Sequence, residues 1–400
     1  MKTAQPNGHT QGDITETYDI SGSGLLQKLL ALYHVHITRW QIALLLLFLT
    51  WFPLALFTFI DGTFNGGVQL PFIMDYSRQS RLLLGIPLLI LIHDVVYRKM
   101  PMVLQYMTEV LIMPADRQRF ISVTLRKAKS YSNSAWVQGI IGLIVVGLAL
   151  SPIGGARFFE ANAGAGSWIM SADTGAENLS RAGRWMQYVS IPLFQFLFAR
   201  WVWRYGVWVF LLFRISRMDL RLRPTHPDGA GGLGILMLAQ RNFNIFFLVC
   251  GLVISGNMVA GFQSATITFD TVKIEILGFI LLSLLIILFP LLFFSGKLIM
   301  TKYHGNLYLG KAGLHSSELF EETWVQGMAE KKQIIGETVD PSMLADYTGV
   351  YRYLQDLSIV PIRLGDVILI SIVQFIPFIP VFFMHFSVIE LMEKLLGLLV

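Results

Sequence analysis

The chain is 400 residues long, 54% hydrophobic and 14% charged, with a mean hydropathy of +0.58. That composition excludes a soluble globular protein and points to a chain that crosses a bilayer several times. The net charge of +5 is no nucleic-acid signal, and one cysteine, Cys250, excludes a disulfide framework or a Cys-x-x-Cys metal site.

Residues 1–24 are polar and rich in Gly and Thr, without the apolar core of a signal peptide, and read as a disordered cytoplasmic tail. Residues 25–400 read as one polytopic membrane domain. A helix needs ~20 mainly apolar residues to cross ~30 Å of hydrocarbon. Seven stretches qualify: Trp40–Ile60, Leu82–Tyr97 (short for a span), Trp136–Pro152, Trp185–Ile215, Phe243–Phe262 (starting near Leu233), Ile274–Met300 and Leu364–Phe386. The expected fold is therefore an all-α integral membrane protein with seven transmembrane helices and amphipathic cytoplasmic helices.

Two connecting segments, 98–135 and 301–363, carry that amphipathic character. The first holds PMVLQYMTEVLIMP and then a basic run, and is expected to pack flat under the membrane. In the second, a mixed-charge helix precedes Asp340-Pro341, a good cap and first-turn pair, and then SMLADYTGVYRYLQDL. These helices should form a cytoplasmic hairpin. The loop Gly154–Arg184 is rich in small residues and reads as flexible. The closing SVIELMEKLLGLLV reads as an interfacial amphipathic helix.

With the N-terminus inside, 22 of the 31 Lys and Arg residues fall in inside segments and seven outside. The positive-inside rule then places the N-terminus in the cytoplasm and the C-terminus outside. The two left over, Arg200 and Arg204, lie within the fourth span.

Arginine is costly in hydrocarbon and normally faces a bundle interior. Arg200 sits 15 residues past Trp185, about 22 Å along the helix at ~1.5 Å per residue, and Arg204 is one turn deeper on the same face. In the second span, Asp94 lies about 20 Å from Arg81 by the same measure. Asp94 and Arg200 therefore share a depth, and a buried pair between them is expected. His93-Asp94 fits either a proton relay or the headgroup-solvated end of a short helix. Arg241 and Lys297 fit a convergent anion site or snorkelling to the interface. His34 and His36, two residues apart, lie on different sides of a helix and make no metal site. No metal and no cofactor are expected.

The most distinctive string is PTHPDGAGGLGIL. Pro224 and Pro227 end the fourth helix, Asp228 can cap the next, and Gly231, Gly232 and Gly234 allow tight turning. Its N–H groups suit an anion or lipid headgroup. The plain alternative is a rigid turn with close helix packing. Gly229, Gly231 and Gly234 formally fit G-x-G-x-x-G, but no strand precedes them, so a dinucleotide site is disfavoured.

The run RISRMDLRLRPTHPDGAGGLGIL, the hairpin that follows and the closing VQFIPFIPVFFMHFSVIELMEKLLGLLV resemble a group of uncharacterised bacterial polytopic membrane proteins that share an HPDxAGGLG motif. The resemblance covers the second half of the chain. It implies a bacterial inner membrane and a shared seven-span plan, and it supplies no catalytic residues.

Three functions compete. A transporter or channel for an anionic or amphipathic solute rests on the deep arginines and the glycine-rich turn. A membrane enzyme acting on a lipid carrier lacks paired carboxylates, metal ligands or a nucleophile set. A scaffold or sensor would use its cytoplasmic hairpin to bind a partner. The expected partners are membrane lipids and an anionic small molecule, not nucleic acid; a homo-oligomer stays open.

Overall fold

The computed structural model describes residues 18–20, 38–151, 167–170, 179–263, 267–326 and 342–385. These form seven helices long and apolar enough to cross a membrane. They are α1 (Arg39–Ile60), α2 (Tyr76–Leu111), α3 (Pro114–Leu150), α4 (Arg181–Ser216), α5 (Ile235–Gln263), α6 (Phe269–Phe320) and α8 (Leu364–Met384). The shorter α7 (Ser342–Gln355) lies between α6 and α8. The chain is an all-α polytopic membrane protein.

Several helices outrun their hydrophobic stretches. The second span is not short. Its helix continues past a break at Lys99 to Leu111, and α3 starts at Pro114 after a turn at Ile112 and Met113. Residues 98–135 are therefore extensions of two spans, not a separate helix. Likewise α6 runs on to Phe320, so its mixed-charge part belongs to the sixth span. That extension packs on α7, where the Tyr351 hydroxyl contacts Asn306 Oδ1 at 3.3 Å and the Tyr347 hydroxyl donates to the Leu309 carbonyl. Asp340-Pro341 and the closing SVIELMEKLLGLLV lie outside the described residues.

Prolines shape the spans. A proline removes an N–H and its ring crowds the carbonyl four residues earlier. Wide π turns at Ser80–Gly85 and Met186–Ser190 stand immediately before Ile86-Pro87 and Ile191-Pro192 and absorb that crowding. In α1 and α6 the freed carbonyls instead receive side-chain donors. Pro53 strands the Leu49 carbonyl, which accepts from Trp185 Nε1 at 3.1 Å. Pro290 strands Ile286, whose carbonyl accepts from the Tyr205 hydroxyl at 2.6 Å. The adjoining Ile287 carbonyl accepts from Gln240 Nε2, and Gln240 Oε1 accepts from Trp208 Nε1 at 2.6 Å. An unsatisfied carbonyl in lipid costs several kcal/mol, so these donors matter to the fold.

Three of those donors sit on α4, and more follow. Ser190 Oγ donates to the Thr50 carbonyl at 2.9 Å, and Gln187 Nε2 to Ala149 at 3.1 Å. Trp201 Nε1 donates to Leu89 at 2.6 Å, and Trp203 Nε1 to Tyr131 at 3.0 Å. The aromatic and polar residues of this apolar rod thus staple it to α1, α2, α3, α5 and α6. A second polar chain ties α5, α6 and α8: Ser283 Oγ donates to Gln374 Oε1 at 2.7 Å, Gln374 Nε2 to Asn244 Oδ1 at 2.9 Å, and Asn244 Nδ2 to the Ile370 carbonyl at 3.2 Å.

Within two stretches read as loose from the sequence, some of the described residues are packed. Tyr18 and Ile20, in the expected tail, are 7% and 2% exposed. Trp168, in the expected flexible loop, is buried edge-on against Phe72 and donates Nε1 to the buried Asp75 carboxylate at 3.0 Å.

Candidate functional site

A cavity of about 130 Å³ opens between α1, α2, α3 and α4. Ile42, Leu46, Leu89, Leu193 and Leu197 make its apolar wall. Arg39, Arg200 and Arg204 line it, with His93 and Gln138. Two of the arginines come from the i, i+4 spacing on α4, and Arg39 comes from the first residue of α1.

The expected Asp94–Arg200 pair does not form. Asp94 is ion-paired with Arg39 instead, at a rim where their side chains are 42% and 28% exposed. Arg39 reaches Asp94 from the start of the neighbouring helix α1. His93 is buried and tilted over the Tyr97 ring at 4.7 Å, with its Nδ1 3.9 Å from Asp94.

Arg204 is 4% exposed, and its guanidinium lies 5.2 Å from the Tyr97 ring centre and 5.6 Å from that of Trp201. Such desolvated cation–π contacts contribute up to about 2 kcal/mol each. Arg200 lies one turn before Arg204 on the same helix. Its Nε is buried without a hydrogen bond, and no carboxylate among the described residues lies within ion-pair distance of it. A guanidinium has five N–H donors and no acceptor, so only an acceptor can satisfy the buried Nε.

The glycine-rich turn resolves the other way. The Asp228 carboxylate accepts from the N–H groups of Ala230 (2.9 Å), Gly232 (3.1 Å) and Gly234 (2.9 Å), and His226 Nδ1 lies 2.8 Å from it. Burial alone would raise the Asp228 pKa. The donors from Ala230, Gly234, Gly232 and His226 outweigh that and hold it below the usual carboxylate value. Gly229, Gly231 and Gly232 have φ of +62°, +64° and +100°, which disfavour a side chain. A Cβ on Gly234 would stand 3.0 Å from Asp228 Oδ2. The N–H groups of Gly232 and Gly234, expected to suit an outside anion, are thus taken by the turn's own acid, which caps the approach to α5.

Around the turn several charged side chains also have partners within the fold. Arg241, expected to join an anion site, pairs with Asp366 at 3.3 Å. Arg363 Nη2 donates to the Asp228 carbonyl at 2.9 Å. Lys297 Nζ donates to the Met218 carbonyl just beyond the end of α4. Arg221 N–H donates to the Leu111 carbonyl at 2.7 Å, which ties this exit to the α2–α3 turn. Asp366 and Arg363 escaped the sequence reading because nothing in their spacing links them to residues 226–241.

No family model, curated protein or solved structure matches the chain. The fold and the two regions above define a seven-span α-helical membrane protein with a basic, apolar-walled cavity. Among the described residues, no three His, Cys, Asp or Glu side chains are grouped to hold a metal ion.

Proposed function

We propose that the protein is a transporter that binds an anionic amphiphile between its first four spans and moves it across a bacterial inner membrane. The observation that carries this reading is Arg200, whose Nε is buried without a hydrogen bond and which has no carboxylate partner among the described residues, in a cavity lined also by Arg39, Arg204, His93 and Gln138 and by several aliphatic side chains. An anionic group would neutralise Arg200 while its alkyl portion met Leu46, Leu193 and Leu197. The excess of basic residues toward one end of the bundle supports an N-terminus in the cytoplasm.

Reconstitution into vesicles tests it. Fluorescently tagged phosphatidylglycerol and phosphatidylcholine are followed by headgroup accessibility to an added quencher. The wild-type protein should speed exchange of the anionic lipid, Arg200→Gln should return it toward the protein-free rate, and Lys273→Ala should not. Equal rates for both lipids, or an unchanged rate in Arg200→Gln, would overturn the reading.

A further inference from the structure

The far end of the bundle carries a second basic hollow. A cavity of about 330 Å³ opens between α1 and α4, lined by Phe57, Arg181, Arg184, Trp185, Tyr188 and Val189. Phe57 lies 18 residues beyond Arg39, ~27 Å along α1 at ~1.5 Å per residue, so the hollow sits almost a hydrocarbon thickness away from the rim of the arginine cavity. Local packing aims its residues. Ala182 and Gly183 are buried, and a Cβ on Gly183 would stand 2.3 Å from the Ile169 carbonyl oxygen, so that face of the first turn of α4 is pressed against residues 168–170. Ser180 Oγ accepts from the Gly183 N–H at 2.9 Å and donates to the Trp168 carbonyl at 2.9 Å. Arg181 and Arg184 are left exposed, three residues apart on one face, with the exposed Tyr188 a further turn along. Trp185 is fixed beside them, its Nε1 on the Leu49 carbonyl and its ring edge-on to Phe57 at 6.3 Å.

Other described basic residues at this end have partners. Arg78 is ion-paired with Asp75, Lys273 pairs with Asp270 at 3.0 Å, and the Arg81 guanidinium lies 5.6 Å from the Phe194 ring centre. Neither Arg181 nor Arg184 makes an ion pair with Asp61 at the end of α1, or with any other carboxylate among the described residues. Like charges three residues apart on a helix repel, and one anion held between them relieves both. On the orientation proposed above this is the outer end, where the positive-inside bias disfavours arginine, so topology gives no reason for the pair. The walls of the hollow are aromatic and aliphatic, and the adjoining Leu56, Phe59 and Ile60 of α1 are exposed as lipid-facing residues are. A hydrated inorganic anion makes no favourable contact with such walls, whereas a lipid sets its phosphate on the guanidinium groups and its upper acyl chains on the rings. We propose that this hollow binds an anionic phospholipid of the leaflet opposite the Arg39–Asp94 rim, with its headgroup bridging Arg181 and Arg184 and its chains against Phe57 and Trp185. The site goes beyond the transport reading and does not depend on Arg200.

The test places the full-length protein in phosphatidylcholine nanodiscs with a trace of phosphatidylglycerol that carries a diazirine on its acyl chain near the glycerol. Cross-linked peptides are mapped after illumination. Labelling should fall on residues 57 and 181–189; unlabelled phosphatidylglycerol should displace it, and added phosphatidylcholine should not. An arginine near an anionic lipid contributes roughly fivefold in affinity, so Arg181→Gln and Arg184→Gln should each cut labelling about fivefold and the double variant about 25-fold. The double lysine variant, Arg181→Lys with Arg184→Lys, keeps both charges and should stay within about twofold of wild type. Displacement by phosphatidylcholine as effective as by phosphatidylglycerol, or unchanged labelling in the double glutamine variant, would overturn the proposal. Displacement by inorganic phosphate as effective as by phosphatidylglycerol would replace the lipid with a free anion and overturn it too. The displacement series on the wild-type chain involves no variant, so a folding defect cannot imitate its result. Arg200→Gln should leave this labelling as in wild type. Unchanged lipid exchange in Arg200→Gln, with labelling lost in the double glutamine variant, would overturn the transport reading and keep this site. Labelling that fell as far in Arg200→Gln as in the double glutamine variant would overturn it as a separate site.

Discussion

The glycine-rich turn and the arginine cavity make an instructive pair. Each centres on one conspicuous charge, Asp228 in the first and Arg200 in the second. Asp228 is met on every side by donors from its own turn. Arg200 has a buried Nε with no acceptor among the described residues. The more distinctive sequence thus holds the more self-contained structure. A dense motif here marks a knot in the fold, and an incomplete electrostatic environment marks where the proposed ligand would bind. Charge in a low-dielectric setting must be compensated, so asking what compensates each group separates the two cases.

The sharpest way to break that contrast is Asp228→Ala. It leaves three N–H groups without their acceptor and should cost about 2–4 kcal/mol, lowering the thermal unfolding midpoint in detergent by several degrees. A midpoint equal to wild type would place the motif outside the fold's stability.

A pH series gives a milder probe of the same residue. The folded pKa of Asp228 lies below its unfolded value of about 3.9. Its contribution is therefore complete above the unfolded value and is lost as the pH falls through the folded one. Wild type should lose stability below about pH 4 more steeply than Asp228→Asn, which has no carboxylate to protonate. Parallel curves would remove the carboxylate from the account.

Smaller still is Tyr205→Phe, which deprives the Ile286 carbonyl of its donor. Hydrogen bonds of this kind in membrane proteins contribute about 0.6–2 kcal/mol, and the unfolding midpoint should fall accordingly. The least change in stability belongs to Arg200→Leu. Replacing a poorly compensated charge by an apolar group of similar bulk should leave the midpoint within about 1 kcal/mol of wild type, or raise it, while lipid exchange is lost. Stability lost in step with exchange would reclassify Arg200 as a structural residue and collapse the comparison.

The number and identity of the spans were legible because hydropathy reports directly on hydrocarbon. Their ends were not. Hydropathy stops at the headgroups, whereas backbone hydrogen bonding does not, so α2, α3 and α6 continue through segments that read as separate amphipathic pieces. The i, i+4 spacing placed Arg200 and Arg204 on one face, and they do line one cavity. The partner of Asp94 escaped because position along a helix gives depth but not direction around the bundle, and Arg39 competes from the start of α1. Asp228 as a cap was readable from local chemistry; that its acid would also satisfy Gly232 and Gly234 depends on three positive φ angles that residue order alone leaves open.

The staples of α4 have an asymmetric consequence for sequence change over time. Their donors are particular side chains at Trp185, Gln187, Ser190, Trp201, Trp203 and Tyr205, but their acceptors are main-chain carbonyls that every amino acid carries. Leu49, Thr50, Leu89, Ala149 and Ile286 are thus free to be exchanged among residues of suitable bulk without disturbing the bond. For these bonds the burden of specification falls on α4 and the acceptor positions are left to drift, whereas the Ser283–Gln374–Asn244 chain fixes side chains on α5, α6 and α8.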